Sequence, residues 1–72
     1  MFIELDVWNG DGFGATSINV QQIDDFFPDS MSMKPEIVGT RVCMMSESVH
    51  FVKQSYQEVR TMLANVSLLV NE

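Results

Sequence analysis

The sequence predicts a small α+β domain: an antiparallel sheet of four to five strands, made of two hairpins, with one C-terminal helix packed on one face. Three observations carry this. FIELDVW at 2–8 alternates apolar and polar residues, the period-two pattern of a half-buried strand. Segments 37–45 and 48–54 are strand-like again, led by the β-branched Ile37, Val38, Thr40 and Val42. SYQE at 55–58 reads as a capping box that opens a helix over about 55–67.

Taken in order, the first strand places Ile3, Leu5 and Val7 on one face and Glu4, Asp6 and Trp8 on the other. Asn9-Gly10-Asp11-Gly12 supplies dipeptides that tolerate positive φ, so a hairpin turn follows. The return strand covers 13–19, where Gly14 points to a bulge or a weak strand end. Asn19 to Gln22 form a short turn into a third strand at 22–27, which Pro28 is expected to stop. DSMSMKPE at 29–36 has no period and reads as a loop. Its Met31 and Met33 are expected to cover the sheet edge, methionine being an adaptable filler.

A two-residue turn at Ser46-Glu47 then fixes the second hairpin. It pairs Met45 with Ser48, Met44 with Val49, Cys43 with His50, Val42 with Phe51 and Thr40 with Lys53. Thr40, Val42, Met44, Val49 and Phe51 are then expected on the core face; Arg41, Cys43, Met45, Ser48, His50 and Val52 on the other. In the helix, Tyr56, Val59, Met62, Leu63 and Val66 form one stripe that must bury against the sheet. The apolar tail at Leu68-Leu69-Val70 suggests an oligomer contact.

Composition narrows the function classes. With 72 residues the chain makes one domain with a thin core, of the size that often needs a staple or self-association. Cys43 is the only cysteine, so no internal disulfide forms and a reducing, cytoplasmic setting is expected. No leader-like segment opens the sequence, and no apolar run approaches the roughly 18–20 residues of a membrane span. The four basic residues, Lys34, Arg41, Lys53 and Arg60, are scattered among ten acidic ones for a formal charge of −6. Direct nucleic-acid binding is disfavoured, because phosphate neutralisation needs a basic patch.

The candidate chemistry is sparse. Cys43 opposite His50, with Met45 beside them, would bring soft ligands together, yet one Cys and one His fall short of the four ligands of structural zinc. Neither a metal nor a cofactor is expected. Cys43 in mid-strand lacks the surroundings that stabilise a thiolate, and no catalytic residue is assigned.

The order of elements and certain residues resemble the FlbD family of small flagellar-operon proteins and small phage proteins of similar build. The resemblance is carried by Asn9-Gly10 after the first strand, by Ile18-Asn19 followed by Ile23, and by GTRVCMMSESVHFVKQSYQEV at 39–59. The chain departs from the family in having Ser46-Glu47 for Asn-Gly at the second turn, a longer loop at 29–36 and extra residues around 14–17. The resemblance implies a non-enzymatic accessory protein, with a flagellar role as one alternative.

The expected function is therefore a non-catalytic protein-protein interaction module of phage or accessory type. It would self-associate or bind a host protein through an edge strand or the mixed sheet face. The expected interface is Trp8, Arg41, Cys43, Met45, His50 and Val52, with Leu68 and Leu69 from the tail; aromatics, Met and Arg are enriched at interfaces. The alternative is an acidic inhibitor whose Glu4, Asp6, Asp11, Asp24, Asp25 and Asp29 mimic a phosphate path and block a nucleic-acid-binding protein.

Overall fold

A computed structural model describes residues 1–71, with side chains described as far as Val66. Phe2–Trp8 (β1) and Phe13–Asn19 (β2) pair antiparallel from Phe2↔Asn19 to Trp8↔Phe13. The turn between them tightens around Gly10, whose φ of 103° only glycine adopts readily. Asn9 donates its backbone N–H to the Gly12 carbonyl at 2.9 Å, and its side-chain Oδ1 accepts from the N–H groups of Asp11 and Gly12 at 2.9 and 3.0 Å. The pairing is regular through Gly14↔Val7, so the bulge expected there is absent. Among the described residues, the one irregularity between paired strands falls between Ile23 and Asp25.

A 3-10 turn, Val20–Gln22, leads to Ile23–Ser30 (β3); Val38–Met44 (β4), Val49–Val52 (β5) and the helix Tyr56–Asn71 (α1) complete the chain. The strands form one antiparallel sheet in the order β2-β1-β5-β4-β3. The predicted fold class is thus observed, with three hairpin connections rather than two. Strand β3 does not stop at Pro28, which pairs with Thr40. Met31 N–H bonds to the Ile37 carbonyl, and the antiparallel alternation then makes Phe27/Arg41 and Asp29/Gly39 the bonded pairs. Pro28 lies between them, where its nitrogen points away from β4 on an edge strand and no N–H is missed.

The topology forces curvature. Flat, a five-stranded sheet would hold β2 and β3 about 19 Å apart, while the four residue steps from Asn19 to Ile23 reach about 14 Å at full stretch. The sheet therefore coils so that its edges approach at this end. Val20 N–H bonds to the Met1 carbonyl and Met45 N–H to the Gln22 carbonyl, tying the 3-10 turn to both sides. On the concave side Ile3, Leu5, Ile18, Val42, Val52 and Val59 are buried together. Each such side chain contributes about 1.5–3 kcal/mol of burial.

The helix covers this concave side as its stripe predicts. Val59 is fully buried, Met62, Leu63 and Val66 pack against the core, and Tyr56 stacks on Phe26 with ring centroids 5.2 Å apart. The capping box is present: Glu58 N–H donates to Ser55 Oγ at 3.1 Å and Ser55 N–H to Glu58 Oε1 at 3.2 Å. The helix runs beyond the expected residue 67 to Asn71. Gln54 sets its direction. Its side chain bonds both the N–H and the carboxylate of Asp6, at 3.0 and 3.1 Å, while its carbonyl accepts from the buried Thr40 hydroxyl at 2.8 Å.

The β4–β5 register differs from the expected one by one residue. Met44 N–H bonds to the Ser48 carbonyl and Glu47 N–H to the Met44 carbonyl, so the loop holds Met45, Ser46 and Glu47 rather than Ser46-Glu47 alone. Glu47 sits at φ 72°, the left-handed residue that closes a three-residue hairpin loop. The pairs become Thr40↔Val52, Arg41↔Phe51, Val42↔His50 and Cys43↔Val49. His50 and Val52 therefore lie on the concave side, and Phe51 and Val49 on the convex side, the reverse of the expectation in all four cases. Glu47→Gly removes a left-handed penalty of about 1–2 kcal/mol. Allowing for the greater flexibility of glycine in the unfolded chain, it should raise stability by about 1 kcal/mol in urea unfolding.

Candidate functional site

The convex side is where the new register has its effect. Phe51 turns outward beside Phe13, itself edge-to-face with Trp8; the ring centroids are 6.2 and 5.2 Å apart. Segment 31–36 brings Met31, Ser32, Met33 and Lys34 to the same concavity as the Trp8 and Phe51 rings. Met31 is buried at 8% exposure while Met33 is 90% exposed. Lys34 N–H bonds to the Met31 carbonyl and Ile37 N–H to the Lys34 carbonyl, which holds the loop in a compact turn. Between this loop and the Gly10-Asp11 turn lies a concavity of about 660 Å³ lined by Trp8, Phe51, Met31, Met33, Lys34 and Arg41 among others.

Gly39 makes the floor possible. A Cβ there would fall on the Val52 carbonyl oxygen and 3.2 Å from Phe51 Cζ, so the close approach of β4 to β5 and the seat of the Phe51 ring both need glycine. Beside it, Arg41 Nε donates to Asp29 Oδ2 at 2.6 Å, with both side chains about one-third exposed. The bond from Arg41 holds the Asp29 carboxyl below its ordinary range, helped by the Ser30 N–H that donates to Asp29 Oδ1 at 2.8 Å. This fixes one edge of the guanidinium at the base of the concavity.

Of the residues expected at an interface, Trp8 and Arg41 line this concavity. Cys43 is half-buried on the convex side opposite Val49 and Asp25, outside the lining. Met45 is 60% exposed within the hairpin loop. His50 lies on the concave side opposite Val42, and Val52 is fully buried in the core, so neither belongs to the convex surface. The side chains of Leu68 and Leu69 lie outside the described residues. Cys43 and His50 are on opposite faces, and among the described residues no three His, Cys, Asp or Glu side chains converge to hold a metal ion.

The acidic residues are not gathered either. Glu4 and Asp6 lie on β1, Asp6 held by Gln54; Asp11 is in the first turn and lines the concavity; Asp24 and Asp25 sit at the β3 irregularity; Asp29 is paired with Arg41. Strands β5 and β4 separate the first group from the last. Met31, Met33, Lys34 and Phe51 were not assigned to the site from sequence. A glycine within a strand pattern was the available signal, since it marks close approach of another group, and Gly39 is that glycine.

Fold and site define a small α+β domain with a helix on the concave side of its sheet and an aromatic concavity on the convex side. The chain matches no protein-family model, no curated protein and no solved structure. Among the described residues no helix is long and apolar enough to cross a membrane.

Two outcomes are expected here. Gly39→Ala should lower stability by about 1–3 kcal/mol, the range for overpacking, and should change near-ultraviolet circular dichroism as the rings shift. The lowered Asp29 pKa means the Arg41 bond supports the fold at neutral pH and is lost as pH falls through the ordinary carboxylate range and below it. Carboxyl titration by NMR should find the Asp29 midpoint below the usual value of about 3.9, and Arg41→Gln should move it upward.

Proposed function

We propose that the chain is a non-catalytic protein-interaction module of the cytoplasm that binds a partner protein through the convex-side concavity. The observation that carries the proposal is the content of that concavity. It combines the rings of Trp8 and Phe51, a methionine that is 90% exposed, and two of the four basic residues of the chain, Lys34 and Arg41. Aromatics, Met and Arg are the side chains that interfaces concentrate, and rigid rings beside an adaptable methionine suit an inserted apolar side chain. Arg41 is paired with Asp29 and Asp11 shares the lining, so Lys34 is the cation outside that pair. The lone cysteine, unpaired in the fold, supports the reducing setting.

Met33→Ser with Lys34→Ser tests this, since both residues are exposed and neither side chain forms part of the core. Affinity capture from the native host, followed by titration of the captured protein, should show binding weakened on the order of tenfold or more, as for a central interface residue. Gln57→Ala with Thr61→Ala, on the exposed helix surface, should leave binding unchanged. Equal loss from both pairs, or loss only from the helix pair, would overturn the assignment to the convex side.

A further inference from the structure

The two edges of the sheet differ in kind. Strand β3 carries Asp24, Asp25, Pro28 and Asp29 and an irregular pairing step, the devices that keep an edge from recruiting another strand. Strand β2, FGATSIN, has no charge, no proline and no bulge. Ala15, Thr16 and Ser17 at its centre are exposed. Its free polar groups follow from the ladder. Asn9 N–H bonds to the Gly12 carbonyl and Val20 N–H to the Met1 carbonyl, so Gly14, Thr16 and Ile18 bond inward to β1 by alternation. The N–H and C=O groups of Phe13, Ala15 and Ser17 and the N–H of Asn19 then point out from the sheet, the Asn19 carbonyl being the N-cap acceptor of the Val20–Gln22 turn.

We infer that β2 pairs with β2 of a second copy, antiparallel about a two-fold axis at Thr16. This register matches these outward groups: Ala15 exchanges both bonds with Ser17 of the second copy, and the Asn19 N–H meets the Phe13 carbonyl of the second copy. Thr16 faces its own counterpart, a favourable cross-strand pair. The small Ala15, Thr16 and Ser17 bring no bulk or like charge to the centre of the contact. The carboxylates of β1 would lie about 14 Å from those of the other β1, three strand spacings away, beyond the ~8 Å Debye length at physiological salt. A second copy is therefore tolerated despite the charge of −6. One strand pair covers less area than a standard interface, so the dimer forms in proportion to concentration.

Thr16→Cys in a Cys43→Ser background tests the register, because directly opposed residues of a non-bonded antiparallel pair lie about 4.5 Å apart at Cα, within disulfide reach. Under mild oxidation it should cross-link on the order of tenfold or more faster than Asp24→Cys on the other edge, the two cysteines being held at high effective concentration. Adding Ala15→Pro should abolish the advantage: the Ala15 N–H points outward, so the fold loses no ladder bond, and circular dichroism should confirm this. Cross-linking of Thr16→Cys no faster than the control, or undiminished by Ala15→Pro, would overturn the inference and leave the edge free or reserved for a foreign strand. Met33→Ser with Lys34→Ser should not affect cross-linking, so the outcome is separate from that of the convex site.

Discussion

The position of Glu47 in the left-handed region is the constraint on which the arrangement of both faces depends. It lengthens the hairpin loop to three residues and moves the β4–β5 register by one. Because side chains alternate with a period of two, that step exchanges the faces of every β5 residue. Val52 enters the core between Thr40 and Val7, and Phe51 joins Phe13 and Trp8 on the opposite side. With the two-residue turn the convex side would have lost its central ring and the core its Val52. The cost of a non-glycine residue at positive φ is about 1–2 kcal/mol, offset by the burial of Val52 alone at about 1.5–3 kcal/mol.

What was legible in the sequence divides along the same line. Patterns that depend only on neighbouring residues were readable: the alternation of β1, the turn at Gly10, the Ser55–Glu58 box and the Val59 stripe. Features set by tertiary context were not. Pro28 reads as a strand stop, but its meaning changes once β3 is an edge and the residue falls between bonded pairs. The hairpin loop has no local signal for its length, since Ser-Glu carries no glycine or asparagine, and packing decides in favour of three residues. The site suffered most. Residue type points to Trp8 and Arg41, whereas the placement of Phe51 and the 31–36 loop beside them depends on the register and on Gly39.

The tie through Gln54 links the two sides. The core of a chain this short is thin, and the segment between β5 and α1 could leave the helix loosely attached. Instead Thr40, Asp6 and Gln54 satisfy one another across three elements. Thr40 is fully buried, and its hydroxyl is paired, as a buried polar group must be to avoid a desolvation penalty. The same segment begins at Lys53, whose N–H bonds to the Asp6 carbonyl. Helix placement on the concave side and the strand positions beneath the convex rings are therefore set by one network.

Charge then separates long-range from local recognition. At a formal −6 the chain attracts basic partners from a distance, which alone would favour a cationic surface in the binding site of the partner. In the concavity the signs are balanced locally, because Lys34 and Arg41 share its lining with Asp11 and Arg41 is paired with Asp29. Salt weakens the field of the remaining carboxylates beyond about 8 Å, so within the concavity this local balance counts for more than the formal charge of the chain. A partner of the proposed kind would present an apolar side chain to the rings, flanked by polar groups that answer both signs. Under that reading the rings would supply the apolar contact and the fixed charges its orientation, because charge placement governs which partners are rejected more than how tightly one is held.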